Sequence, residues 1–435
     1  MGFVLCALAL IAQSDADDLR RLRADVQAWF VAHHAATAPQ AVPQVDRLRA
    51  QVLRDWPRGQ RGQQWLRDLS RQQALFAGCF RYSMPLSSPP ALHGVTVRVP
   101  ASYDASRPTP AVVQVWPRTG TEAVARRYGV TVSSDDAIVI EVTPNELQSM
   151  ARPRPPTLAQ TLGVAAVREA MTSATGALGG RAWAWVLGDV DDDLVQRGLF
   201  ALLGVVQRHY NIDRERVIMD AAGGACRPVL RAAMSAPDRF AGVILRAPRA
   251  TQDIPVDNLA GIPVLVLRRP TNGSEVTSLQ RAFAAVPDGL CEVYDVAAFD
   301  VEQLMSWCSE RRRELLRKHV RLFMRPDGIV DGSWVSVVSA DLGASSAEGL
   351  AHIDVVADRA AGRITVLAHR IERFSLLLND ALIDLDREFE LRVNGVQISM
   401  RRARSLSFLC DTVLQRFDPG FLFTTAISIE VPRRG

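Results

Sequence analysis

Between about His93 and Pro326 the chain alternates short apolar runs with longer helical segments, and no other feature restricts its fold as strongly. The runs cover 93–99, 110–116, 137–142, 216–220, 241–247, 262–267 and 291–296. Because they are apolar on both faces, both faces must be covered, which predicts a mostly parallel sheet with helices on each side. The longest helices are expected over 193–210 and from Val301 to about Phe323. The second would close this layer before the turn-forming Arg325-Pro326-Asp327-Gly328. A sheet of this kind offers its ligand sites at the carboxyl ends of the strands.

Beyond Gly332 the period changes to two, with alternating segments at 334–339, 351–356, 363–369, 373–378, 388–393, 397–401 and 422–431. With a turn such as Asn394-Gly395, this predicts an antiparallel β domain. From Asp15 to about Phe80, apolar residues recur at three and four spacing (Leu19, Leu22, Val26, Phe30; then Val45, Leu48, Val52, Trp56), interrupted near Pro39 to Pro43. That spacing predicts amphipathic helices that pack on something larger or on a partner. The fold class expected is therefore α/β with a helical N-terminal region and a C-terminal antiparallel β domain. The expected limits are 1–12, 13–90, 91–326 and 327–435.

The apolar run Phe3 to Ala12 is too short to cross a bilayer but has the length of a signal-peptide core, although it lacks a basic start. Its reading is a signal peptide over 1–12 and a secreted or periplasmic protein, with a buried amphipathic N-terminus or a misplaced start codon as the alternative. No membrane span is expected elsewhere. The six cysteines show no C-x-x-C spacing, and no disulfide is assigned. Only Lys318 among 51 basic residues is lysine, and it sits in an arginine run (Arg311, Arg312, Arg313, Arg317). With no G-x-x-x-x-G-K-[ST] motif, a phosphate loop and Schiff-base chemistry are excluded. The net charge of +4 is spread along the chain without a basic stripe, so no nucleic-acid partner is implied. No cofactor is implied either. His33 and His34 are adjacent and would lie on different faces of a helix, so they cannot share a metal. Asp189-Val-Asp-Asp-Asp193 departs from a calcium loop at Leu194 and Phe200, and reads as a helix cap. No metal is expected.

The stretch Tyr210-Asn-Ile-Asp-Arg-Glu-Arg-Val-Ile-Met-Asp220, then Ala-Ala-Gly-Gly-Ala-Cys226 and Ala236-Pro-Asp-Arg-Phe-Ala-Gly-Val243, resembles secreted α/β-hydrolase-fold esterases of the polyhydroxybutyrate-depolymerase and feruloyl-esterase type. A second likeness, Asn379-Asp-Ala-Leu-Ile-Asp-Leu-Asp-Arg387 with Val393-Asn-Gly395, is to the β domain attached to some bacterial members. The resemblance implies an α/β-hydrolase fold and a serine at a strand-to-helix elbow. Here that position falls on Gly223, flanked by Ala221 and Ala225, and none of the 28 glycines begins a G-x-S-x-G.

The other positions implied by the resemblance are substituted as well. The oxyanion loop would follow 111–115, where the sequence reads Trp116-Pro-Arg-Thr-Gly120, and Pro117 has no N–H to offer. The triad acid falls near Asn272, and the expected histidine is absent from Ala297-Ala-Phe-Asp300. Nucleophile, acid, base and oxyanion loop are lost together, which reads as a pseudoenzyme with a binding or assembly role toward an unknown protein or small-molecule ligand. Candidate binding residues are those at the former site: Trp116, Arg118, Gly223, Gly224, Asn272 and Phe299. Two alternatives stand. One is an active ester hydrolase or peptidase, misregistered or using Cys226, which lies in the first helical turn where a thiol pKa can fall. The other is a carrier or sensor that uses the old pocket without turnover.

Overall fold

The computed structural model describes residues 16–30, 32, 42–76, 94–117, 132, 135–151, 191–251, 254, 256–324, 332–342, 350–416 and 418–431. The centre is a seven-stranded sheet of β1 (Thr96–Arg98), β2 (Thr109–Val115), β3 (Ile138–Val142), β4 (Ile212–Ala222), β5 (Gly242–Arg246), β6 (Val264–Arg268) and β7 (Cys291–Asp295). Its order is β1-β3-β2-β4-β5-β6-β7, parallel throughout except for β1. All seven apolar runs read from the sequence are strands of this sheet. From β2 the chain moves outward to β3 and then crosses back to β4, so the direction of winding reverses between β2 and β4. Their carboxyl ends form the topological switch point.

One face of the sheet packs on α5 (Pro144–Ala151), α6 (Asp192–His209), α7 (Cys226–Ser235) and α8 (Gly273–Ala284), through residues such as Leu147, Leu199, Val229 and Leu279. The other packs on α9 (Val301–Glu310), whose Leu304, Trp307 and Cys308 lie against Ile218, Ile244 and Leu265. The cap expected from the acidic run is present. Asp191 accepts from the backbone N–H of Asp193 and Leu194 (3.0 and 3.2 Å), and Asp192 takes Arg227 and Arg231 at 2.9 Å each.

The helix expected from Val301 to about Phe323 is shorter, because α9 ends at Glu310 and His319–Phe323 is strand β8 of the C-terminal domain. In the sequence, Leu304, Trp307, Leu315, Leu316 and Val320 imitate helical spacing, but the arginines between them reach in separate directions. Arg311 pairs with Glu292, Arg312 with Glu215, and Arg313 with Asp418, while Arg317 donates to the carbonyls of Ala260 and Gly261. The basic run is thus a connector that ties the amino end of the parallel sheet to the next domain.

That domain pairs a five-stranded sheet with a three-stranded one. The first has the order β14-β13-β11-β10-β8, comprising β10 (His352–Asp358), β11 (Arg363–His369), β13 (Phe389–Val393) and β14 (Val396–Met400) beside β8. The second has the order β15-β12-β9, from β9 (Val335–Ala340), β12 (Ile371–Leu378) and β15 (Thr425–Glu430). They share a core with Trp334, Phe374 and Phe423 fully buried. The pairings are antiparallel except β11 with β13. Asn394 and Gly395 both have positive φ (47° and 89°), as a two-residue hairpin turn requires.

A helix within this region, α10 (Leu406–Arg416), departs from the all-β expectation. Its Leu406, Leu409, Cys410, Val413 and Leu414 form one core with the N-terminal helices α1 (16–30), α2 (Val42–Asp55), α3 (Gly59–Arg67) and α4 (Leu69–Phe76), including Trp29, Phe30, Trp65 and Phe76. The larger body that those amphipathic helices were expected to find is therefore the C-terminal domain.

Candidate functional site

At the switch point, β4 ends at Ala222 and the chain turns through a short 3₁₀ segment, Gly223–Ala225, into α7. Gly223 has φ +59°, the left-handed conformation that a sharp strand-to-helix turn imposes on its central residue and that glycine adopts without strain. A sharp strand-to-helix turn stands where the resemblance implied an elbow, and the residue at its apex has no side chain. Gly224 is exposed with open space where a Cβ would stand.

Cys226 lies behind this turn, fully buried, with Sγ 3.3 Å from the carbonyl oxygen of Ala221 and 3.7 Å from that of Arg246. Burial pushes its thiol well above the ordinary value, beyond what the neighbouring Arg246 recovers. A protonated thiol facing carbonyl oxygens is a poor nucleophile.

Several described side chains at these strand ends pack on one another. The Trp116 side chain, 2% exposed, packs on Ala222 and Ala247 at the ends of β2, β4 and β5. The Arg246 guanidinium lies 5.6 Å from the centre of its ring. Arg246 makes a bidentate pair with Asp220 at 2.7 and 2.9 Å, both side chains having zero exposure, and Gln114 donates to the same carboxylate at 3.1 Å. A tryptophan, an ion pair and an amide thus occupy the ends of the three central strands.

Neither of the other two strand ends carries a relay. Asn272, 4% exposed, accepts from the Arg269 N–H at 2.7 Å and donates to the Pro248 carbonyl at 3.3 Å, so its amide braces two loops. The Arg249 N–H in turn reaches the Gly223 carbonyl at 3.3 Å, so the loop after β5 joins both positions. At the ends of β6 and β7, Arg268 and Asp295 form an exposed bidentate pair (2.8 and 3.2 Å). Phe299 is turned away from the elbow and packs against Tyr294 (5.0 Å between ring centres) and the α9 face. Arg118 lies outside the described residues, as do His33, His34 and the apolar run Phe3 to Ala12.

Of the six candidate binding residues, the structure brings Trp116 to the Gly223 turn and ties Asn272 to it through one loop. Phe299 lies on the α9 face of the sheet, with Ile218, Ile244 and Leu265. The described histidines are remote from the elbow. His209 closes α6 against the Val205 carbonyl, His319 pairs with Asp354, and His352 and His369 are on β10 and β11. The Asp220–Arg246 pair was missed in the sequence, although Asp220 ends the apolar run Val217–Met219 and Arg246 ends the run Val243–Leu245.

Two cavities open elsewhere. One of about 430 Å³ lies at the amino end of the sheet against β8, bordered by Asp238, Asn258, Gly261, Lys318 and Ser333. The other, about 1020 Å³, is in the β domain. No described helix is long and apolar enough to cross a membrane.

No family model and no curated protein matches the chain. Solved structures that match part of the chain include esterases and related hydrolases. A thermostable esterase matches 50% of this chain and 59% of its own at 15% identity and TM-score 0.31. An S-formylglutathione hydrolase from Agrobacterium tumefaciens matches 50% of this chain and 89% of its own at 15% identity and TM-score 0.30. A poly(3-hydroxybutyrate) depolymerase from Bordetella parapertussis matches 46% of this chain and 76% of its own, at 16% identity and TM-score 0.27.

Proposed function

We propose that the chain is an exported α/β-hydrolase-fold protein without hydrolase activity, which acts by binding or assembly. The observation that carries this reading is the content of the switch point: glycine at the turn apex, with Trp116 packed on Ala222 and Ala247 and a buried Asp220–Arg246 pair near the ends of the adjoining strands. Acyl transfer needs a nucleophile, a base within about 3 Å of it and donors for the oxyanion. No described side chain at the elbow supplies the first two. Pro117 removes one backbone donor from the loop after β2. Filling by Trp116 also disfavours a small-molecule carrier that uses the old pocket, and burial disfavours Cys226. Export rests on the run Phe3 to Ala12.

The test is turnover of short acyl esters by the purified chain, with and without iodoacetamide. The expected rate is that of buffer, unchanged in Cys226→Ala. A rate far above buffer that Cys226→Ala abolishes would establish the thiol enzyme instead.

A further inference from the structure

We propose that His352 and His369 form a two-histidine chelate for a late first-row divalent ion of the Ni²⁺, Cu²⁺ or Zn²⁺ type. The two residues are direct partners in the antiparallel register of β10 and β11, so their side chains leave the same face of the sheet side by side. Their ring centres are 5.2 Å apart. Two imidazoles bound to one tetrahedral ion at metal–nitrogen distances of about 2.0–2.1 Å place their ring centres about 5 Å apart.

The protonation of His352 suits this role. Its Nδ1 lies 3.1 Å from the carbonyl oxygen of Leu350, which can only accept, so Nδ1 carries the hydrogen and Nε2 keeps its lone pair. A ring nitrogen held by a backbone carbonyl is the usual outer support of a metal-bound histidine. Phe323, on β8, stacks on the other side of the His352 ring (5.1 Å, planes 22° apart) and fixes its plane. Both histidines line the larger cavity, together with the carboxylates of Asp341, Glu372 and Glu430.

Among the described residues no third histidine, cysteine or carboxylate completes a cluster with the pair. Water fills the remaining positions, and the ion is exchangeable. Nitrogen ligands select copper and nickel over magnesium and calcium, with Cu²⁺ held most tightly. Protons and the metal compete for the same ring nitrogens, so binding weakens in acid.

His319 provides an internal control. It is on β8 and exposed, but it pairs with Asp354 at 2.8 Å and stands opposite Val356.

The experiment is calorimetric titration of the untagged full chain with Ni²⁺ and Cu²⁺ at neutral pH, repeated on variants. One site is expected for each ion, weakened at least about tenfold by His352→Ala and by His369→Ala. The site should be unchanged in His319→Ala and in the double variant His33→Ala/His34→Ala. Absence of Ni²⁺ and Cu²⁺ binding, or binding undiminished in both His352→Ala and His369→Ala, would overturn the proposal. Should either variant fail to fold, the Cu²⁺ EPR spectrum of the unaltered protein decides. Coupling to two imidazole nitrogens is expected, and a spectrum without it would refute the chelate.

Discussion

The two ends of the parallel sheet have been put to opposite uses. At the carboxyl end, where folds of this type hold ligands, the polar side chains turn inward and satisfy one another: Arg246 with Asp220, Gln114 with Asp220, Asn272 with two loops. At the amino end they reach outward to the β domain. Asn258 accepts from the Phe323 N–H (2.7 Å) and donates to its carbonyl (2.9 Å), capturing β8. Asp238 receives the Ser333 N–H and Arg416, each at 3.1 Å, and Arg313 spans from the Asp238 carbonyl to the Asp418 carboxylate. In the proposed reading the carboxyl end is sealed by these contacts, while the amino end joins the sheet to the β domain.

The sharpest way to break this contrast is at the sealed end. Asp220→Ala removes the carboxylate that pairs with a fully buried guanidinium and accepts from Gln114. Loss of a partner from a buried pair is expected to cost roughly 4–5 kcal/mol, measured by urea denaturation. Trp116→Ala removes the indole that packs on Ala222 and Ala247. The expected loss is about 3–4 kcal/mol, and the cavity it opens should bind small apolar probes that the unaltered protein rejects. A neutral result for both would mean that the site is open rather than sealed.

The amino end gives a pH-dependent signature. Burial alone would raise the Asp418 carboxyl, but Arg313, with help from Arg214 and the Gly420 N–H, holds it at about 2. A folded-state value below the unfolded one contributes stability that is present above about pH 4 and lost as pH falls toward 2. Arg313→Gln should therefore cost about 3 kcal/mol at neutral pH and flatten this part of the acid limb. The neighbouring Arg312→Ala, which removes an exposed pair with Glu215, should cost less than about 1 kcal/mol. Equal losses from the two variants would erase the distinction between a buried seam and solvated surface.

Most of the scaffold was legible because periodicity reports burial. The seven central strands are apolar on both faces and therefore stand out, and the alternating segments of the β domain do so for the same reason. The helix α10 has its own three and four spacing (Leu406, Leu409, Cys410, Val413, Leu414), but it is short and lies among strands. Strand β8 was hidden for the reverse reason, since the leucines of the arginine run are spaced as in a helix while their arginines point to separate domains. At the site, the elbow position was legible from its small neighbours. What fills it was not, because the Asp220–Arg246 pair is a tertiary contact between strands 26 residues apart. The same holds for the register that sets His352 beside His369.

A smaller effect tests the elbow directly. Gly223→Ser puts a Cβ on a residue at φ +59°, with an expected loss of roughly 1–2 kcal/mol. The new hydroxyl should give no ester hydrolysis, because no described histidine stands at the elbow to activate it. Turnover in this variant would reveal a base outside the residues discussed.

The central claim, that the switch point holds no activated nucleophile, is tested most directly by treating the unaltered protein with a fluorophosphonate and weighing it by intact-mass spectrometry. Only a serine activated by a base reacts stoichiometrically. The expected mass is that of the untreated chain, whereas one equivalent of phosphonate on a single serine would contradict the account.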